Sequence, residues 1–327
     1  GKEYQPSYWY FTDFPGNCRD SSLITPLKRV DRSVYHYLNT LGVAKLCELS
    51  GDDEYQFYDD LSRKIKADIL NKMWDEETLF FYDLHHETDE MAMVKNIVGF
   101  YPYWACITEA EHEEGFTRLF SEDFDTGCPF PSVSTDCPVF QPEGGWKGIF
   151  IKGRNGCVWD GPTWPYTNSI VLDALANETR AAEHRFDREF GRYFREYSFL
   201  HYSKRDVNHP YLVEHYNSVT GEPLSDEVDY NHSYYIDLVI RHVAGLHVYE
   251  DKLVLDPLDI GLDHFVLDNI YVSRKHIRIT YKKAGTSSGK HDIEDGYSLY
   301  VDGERVRHTN TLDKMEYILT GEYNNEA

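Results

Sequence analysis

Two acidic residues set among aromatic and small polar neighbours carry the strongest chemical signal in this chain. Asp20 lies in "DFPGNCRDSS", after an aromatic run and before Ser21 and Ser22, and Glu214 lies in "HPYLVEHYNSVTGEP", flanked by Tyr211, Tyr216 and Asn217. A pair of carboxylates suits glycoside hydrolysis, in which one is general acid and the other base or nucleophile across a sugar ring. The acid must stay protonated near neutral pH, and burial against aromatic walls raises its pKa in that direction. Between the two in sequence comes "CVWDGPTWPYTN" (157–168), where Trp159 and Trp164 bracket Asp160 and a Gly-Pro turn. Two indoles so placed read as walls around a polar ring; the competing reading is that large indoles fill a core. For Asp160 the rival of ligand binding is a turn-stabilising side chain.

Several other chemistries have no motif here. The chain contains no HExxH and no dinucleotide GxGxxG. "AGTSSGKH" (284–291) lacks the Ser or Thr after Lys290 that a phosphate loop needs and falls between two strand-like runs, so it reads as a hairpin loop. His85 and His86 have no partners at metal-ligand spacing and read as a solvated loop. The six cysteines, Cys18, Cys47, Cys106, Cys128, Cys137 and Cys157, include no CxxC pair, and nothing in them demands a disulfide or a zinc site. No metal or organic cofactor is implied.

The charge balance narrows the partners. A formal net charge of −23 over 327 residues repels nucleic acid and anionic membrane surfaces, and no basic cluster interrupts the field. No apolar run approaches the ~18 residues that span a bilayer. The N-terminal "GKEYQPSYWY" has no signal-peptide character. Tyrosine, at 26 residues, is abundant; its ring and hydroxyl suit a polar, ring-shaped ligand or the packing seams of a large helical protein.

The elements that must position these residues follow from periodicity. Helices are expected from Asp31, with Val34, Leu38, Leu41, Ala44 or Lys45, and Leu49 inward and "SGDD" (50–53) as a stop, and then over Tyr55, Tyr58, Leu61, Ile65, Ile69 and Met73. "WDEETLFFYDL" (74–84) predicts a tight extended excursion. Further helices are expected at 90–105, 110–121, 163–177, 181–198 and 232–245, the fourth with Phe186, Phe190, Phe194 and Tyr197 inward. A long aromatic, Pro- and Gly-rich loop region fills 122–160, a length that is usually functional. After about Leu246 the period becomes two: "KLVLDPL", "HFVLDNIYV", "HIRITYKK" and "YSLYVDGERV" read as strands, with "VDGE" as a hairpin turn. The expected division is a helical domain over 1–246 and a small β module over 247–327.

On these residues the chain resembles glycoside hydrolase family 63 and the mannosylglycerate hydrolase-like enzymes, with trehalases as looser kin. "CVWDGPTWPYTN" is similar to their Trp-x-Gly-Pro-x-Trp signature, "YLVEHYNSVTGE" to their Glu-x-Tyr-Asn-x-x-Thr-Gly segment, and "GNCRDSS", less closely, to the segment that supplies the general acid. "YNHSYYIDLVIRHVAGL" resembles the terminal barrel helix. The resemblance implies an (α/α)6 toroid, mainly α, followed here by a small antiparallel β module, and an inverting mechanism on an α-glucoside or α-mannoside. It makes Asp20 the general acid and Glu214 the general base. It puts Trp146, Trp159, Asp160, Trp164, Tyr216, Asn231 and His232 around the sugar, although Asn231 and His232 also suit a helix N-cap.

Two departures from the family pattern bear on that reading. Arg19 beside Asp20 favours the carboxylate over the acid form unless its guanidinium points away. Only 19 residues precede Asp20, where the family has several helices, so either an upstream half lies elsewhere or the barrel is incomplete, and the expectation is an all-helical toroid or its C-terminal portion. An upstream half-barrel chain or a second copy is the expected partner, because an open half-barrel exposes an apolar face. Three rivals remain at this level: a phosphorylase, which would not need the base motif; a polysaccharide lyase, which needs a basic cleft; and a non-catalytic carbohydrate-binding or assembly fragment of a larger glycosidase.

Overall fold

The computed structural model describes residues 5–11, 27–145, 158–230, 234–250, 252–289 and 291–319. Among them are eight α-helices and four antiparallel sheets. The chain divides into two compact units, Gly1–Glu178 with Tyr193–His232, and Thr179–Arg192 with Ser233–Ala327.

The first unit opens with α1 (Pro6–Phe11) and β1 (Leu27–Lys28), then a hairpin of α2 (Val30–Ser50) and α3 (Tyr55–Lys72). The "SGDD" stop is a Schellman cap: Gly51 is left-handed (φ 71°), its N–H bonds Glu48 O, and Asp52 N–H bonds Cys47 O at 2.9 Å. The α3 stripe is inward as expected, with Ile69 and Met73 buried. In α2 Val34 and Ala44 are buried as expected, together with Val30, Thr40 and Cys47, while Leu41 and Leu49 are 41% and 72% exposed.

β2 (Trp74–Asp75) and β3 (Phe80–Phe81) form the expected tight excursion, with Trp74 opposite Phe81. β4 (Leu84–His85) pairs with β1. The helix expected over 90–105 is reduced to a 3-10 turn (Ile97–Phe100) and α4 (Tyr101–Trp104). The buried Asn96 side chain caps it by accepting the Val98 N–H at 3.2 Å, so the chain before it is extended. The helix over 110–121 is likewise a succession of single turns around α5 (Glu113–Phe116).

Between these short turns sits an aromatic core. Phe80, Phe100, Tyr103, Phe116 and Phe124 meet edge-on or stacked, with centroids 4.9–5.9 Å apart. Gly99 is required there, because a Cβ would lie 2.4 Å from the Phe80 ring. Tyr8, Tyr82, Tyr101, Tyr103, Tyr193, Tyr197 and Tyr216 are all buried, so much of the tyrosine serves packing. One buried carboxylate organises the start of α2: Asp83 accepts the Val30 N–H (2.7 Å) and the Tyr8 hydroxyl (2.5 Å) and pairs with Arg29 (2.6 Å).

The longest later helices are α6 (Pro165–Ala181) and α7 (Asp187–Leu200). Pro165 heads α6, where its missing N–H costs nothing. Phe186, Phe190, Phe194 and Tyr197 of α7 are buried, as their spacing predicts. The helix expected over 232–245 is α8 (Tyr234–Leu238) running into a π-helical turn, Val239–Val243.

The second unit contains all the strands after residue 245. β5 (Leu246–Tyr249), β6 (Lys252–Leu255) and β11 (Met315–Ile318) make one sheet in the order β11-β6-β5. β7 (His264–Val272), β8 (Lys275–Lys282), β9 (Gly296–Val301) and β10 (Glu304–Thr309) make the other, in the order β10-β9-β8-β7. Asp302 and Gly303 (φ 49° and 86°) form the two-residue turn that "VDGE" predicts, pairing Glu304 with Val301. The core of this unit is Leu253, Leu255, Ile277, Ile279, Tyr297 and Leu299, from alternate positions of facing strands.

Candidate active site

The aromatic loop and the Glu214 segment are distant in sequence and adjacent in space. Thr163 and Tyr216 form an isolated antiparallel bridge. Thr163 N–H donates to Tyr216 O and Tyr216 N–H donates to Thr163 O, each at 2.9 Å. The Thr163 hydroxyl donates to the carbonyls of Cys128 and, at 3.1 Å, Phe130, which fixes the loop from behind. Asn168, one turn into α6, closes the same clamp: Oδ1 accepts the Phe130 N–H, and Nδ2 donates to the Phe130 and Trp164 carbonyls, all at 3.0 Å. Gly161 lies so close to the Gln141 carbonyl that a Cβ would sit 2.0 Å from its oxygen.

Trp159, Trp164 and His215 form a three-layer pile. Trp159 and Trp164 stack at 4.1 Å with 10° between planes, and Trp164 stacks on His215 at 4.4 Å and 15°. The three are 5%, 3% and 2% exposed, so the two indoles are buried faces rather than open walls. Burial pushes His215 down to about 4, which leaves the imidazole neutral at pH 7. Its Nδ1 stands 4.0 Å from Glu214 Oε2, and the Glu214 side chain is 19% exposed.

Asp160 is fully buried. Its Oδ1 accepts the Gly145 N–H at 3.3 Å, and among the described residues its Oδ2 has no hydrogen-bond partner. Burial raises its pKa to about 8, against the smaller opposing effect of backbone donors, so it holds a proton at neutral pH. The Tyr216 hydroxyl is engaged internally: it accepts the Val213 N–H at 3.0 Å and faces Tyr211 O at 3.4 Å. Burial raises Tyr216 to about 12. Asn217 folds the turn beyond it, its Oδ1 accepting the N–H groups of Val219 (2.9 Å) and Thr220 (3.0 Å).

Of the residues singled out from sequence, the structure therefore brings together Trp159, Asp160, Trp164, Glu214 and Tyr216. Asp20, Trp146, Asn231 and His232 lie outside the described residues. Sequence reasoning passed over His215, Thr163 and Asn168. For His215 the available signal was an imidazole between the candidate base and a tyrosine. Among the described residues no group of three or more His, Cys, Asp or Glu side chains stands close enough to hold a metal ion. None of the described helices is long and apolar enough to cross a membrane.

A family model for the mannosylglycerate hydrolase MGH1-like glycoside hydrolase domain matches residues 17–233. Among solved structures, one named Sialidase superposes with a TM-score of 0.78 and 24% identity, over 90% of this chain and 27% of that one. A GH63 mannosylglycerate hydrolase from Thermus thermophilus in complex with glucose is 21% identical, with a TM-score of 0.48 over 70% of this chain and 50% of that one. Neutral trehalase from Saccharomyces cerevisiae is 16% identical, with a TM-score of 0.49 over 68% and 39%. This chain thus spans about a quarter of the first and no more than half of the other two.

Proposed function

The chain belongs to the mannosylglycerate hydrolase MGH1-like glycoside hydrolase family, and on that premise we propose that it cleaves an α-glycosidic bond, of an α-glucoside or α-mannoside, with inversion. In this reading residues 1–246 belong to an (α/α)6 toroid, whole or in part, and the strands beyond them are an appended module. Glu214 is the general base and takes the proton of the attacking water. Asp20 is the general acid and protonates the leaving oxygen from the opposite face of the sugar.

The observation that carries the reading is the Thr163–Tyr216 bridge, which sets the partly exposed Glu214 carboxylate beside the aromatic pile. A base needs access to water and a fixed backbone, and Glu214 has both. Trp159 and Trp164, being buried, act behind the sugar, holding the loop rigid. Asp160 acts as a neutral hydroxyl donor near the sugar, together with Trp146, Tyr216, Asn231 and His232 as lining or support.

The test is proton NMR of the anomeric signals during incubation with a panel of α-glucosides and α-mannosides, with Glu214→Gln beside the wild type. Release of a β-anomer that vanishes in the variant is the expected result. Turnover by the variant at the wild-type rate would remove Glu214 from the base role, and first release of the α-anomer would remove inversion.

A further inference from the structure

The bland account of His215 is that it is the third plate of the aromatic pile. Three observations ask more of it. Its Nδ1 is buried and, among the described residues, has no hydrogen-bond partner. That nitrogen stands 4.0 Å from Glu214 Oε2, about 1 Å beyond a charge-assisted hydrogen bond. The imidazole is also held in place: Trp164 stacks on its face at 4.4 Å, Leu224 N–H donates to its carbonyl at 3.1 Å, and the next residue is tied to Thr163.

We infer that His215 is a positioning residue for Glu214, donating its Nδ1–H to the carboxylate when substrate is bound and so holding the base ionised and aimed. The inference rests on the reading of Glu214 as the base. Hydrogen bonds of this kind are commonly long in the empty enzyme and tighten in the complex. A donor to the ionised form favours that form. Because burial keeps the imidazole neutral, it orients the carboxylate without the full cation that would blunt its basicity. Among the described residues, Glu214 is the ionisable group facing this nitrogen; the Tyr216 hydroxyl is turned to Val213 and Tyr211, and Trp164 and Leu224 bring no charge.

The first arm of the test needs no substrate. In the whole polypeptide labelled with 15N-histidine, the side-chain signals of His215 are identified by their loss in His215→Phe. The expected result at pH 7 is an Nδ1-protonated tautomer whose resonance moves in Glu214→Gln. An Nε2-protonated tautomer insensitive to Glu214→Gln overturns the inference.

The second arm is the pH profile of kcat/KM with α-glucosyl and α-mannosyl fluoride. His215→Phe keeps the plate and loses the donor, so kcat should fall roughly 10- to 100-fold with KM within about twofold. The acidic limb should move to higher pH. His215→Asn, which keeps a donor near Nδ1, should return the limb toward the wild type. An unmoved limb in His215→Phe, with or without a lower melting temperature, reduces His215 to the third plate. Full activity of Glu214→Gln would fail the base reading itself, a different result from an inactive Glu214→Gln with an unmoved His215→Phe limb.

Discussion

Thr163 and Tyr216 exchange both backbone hydrogen bonds, each at 2.9 Å, so two segments some fifty positions apart behave as one short piece of sheet. The pairing fixes the relative register of the Trp159–Trp164 loop and the Glu214 segment. A register fixed in this way leaves Trp164 and His215 face to face, with Glu214 next along the chain and 19% exposed.

Thr163→Val keeps the shape and removes the hydroxyl, leaving the Cys128 and Phe130 carbonyls short of a donor. Urea denaturation should show a loss of about 1–3 kcal/mol. The proposed glycosidase activity should fall further than stability alone accounts for, because the loop that sets the Glu214 register is loosened. Unchanged stability would mean that water replaces the hydroxyl.

Gly161→Ala should be among the most damaging small substitutions in the chain. The new methyl meets the Gln141 carbonyl at 2.0 Å, and backbone cannot rotate aside as a side chain can. A loss of about 1–3 kcal/mol is expected from overpacking. The near-ultraviolet circular dichroism of the stacked indoles should weaken with it.

Asp160 gives the site a pH dependence of definite sign. Its folded pKa, raised to about 8, lies above the ordinary carboxylate value of about 3.9. Between those values the folded state keeps a proton that the unfolded state has lost, so this group's contribution falls as pH rises, by at most about 1.4 kcal/mol per unit. Asp160→Asn, an uncharged mimic of the protonated acid, should flatten that slope between pH 5 and 8. Parallel slopes in thermal melts of the two proteins would exclude a buried, protonated Asp160.

Asp83→Ala should destabilise the first unit by about 3–5 kcal/mol, since it strands the Arg29 guanidinium and removes the acceptor for Val30 N–H and Tyr8. Arg29→Met together with Asp83→Leu should recover part of the loss, because the stranded charge goes with its partner. A double variant no more stable than Asp83→Ala would mean that capping of α2, rather than the ion pair, dominates.

Where the sequence was legible, local chemistry and tertiary packing asked for the same thing. The Phe186–Tyr197 stripe, the Gly51 stop and the Asp302–Gly303 turn are each read from a few adjacent residues. The inward face of α2 was not, because Leu41, Leu46 and Leu49 offer a second apolar stripe and periodicity alone does not choose between two. The helix over 90–105 failed for a different reason: the Asn96 cap is local, but its burial and the close approach of Gly99 to Phe80 depend on residues further away in sequence. In the candidate site the motifs singled out Glu214 and the indoles, and the structure places them side by side. Burial of the indoles, and the place of His215 beneath them, depend on the Thr163–Tyr216 register, which no local pattern encodes.

Two indoles held nearly parallel at 4.1 Å do not absorb light independently. Their transition dipoles couple, and the coupled pair should give a two-signed feature in circular dichroism that isolated tryptophans lack. Because Trp164 is also pressed against His215, the pile places a chromophore directly beside the residue preceded by Glu214. The protein thereby carries its own optical gauge of whether the loop is seated, readable before any substrate is known.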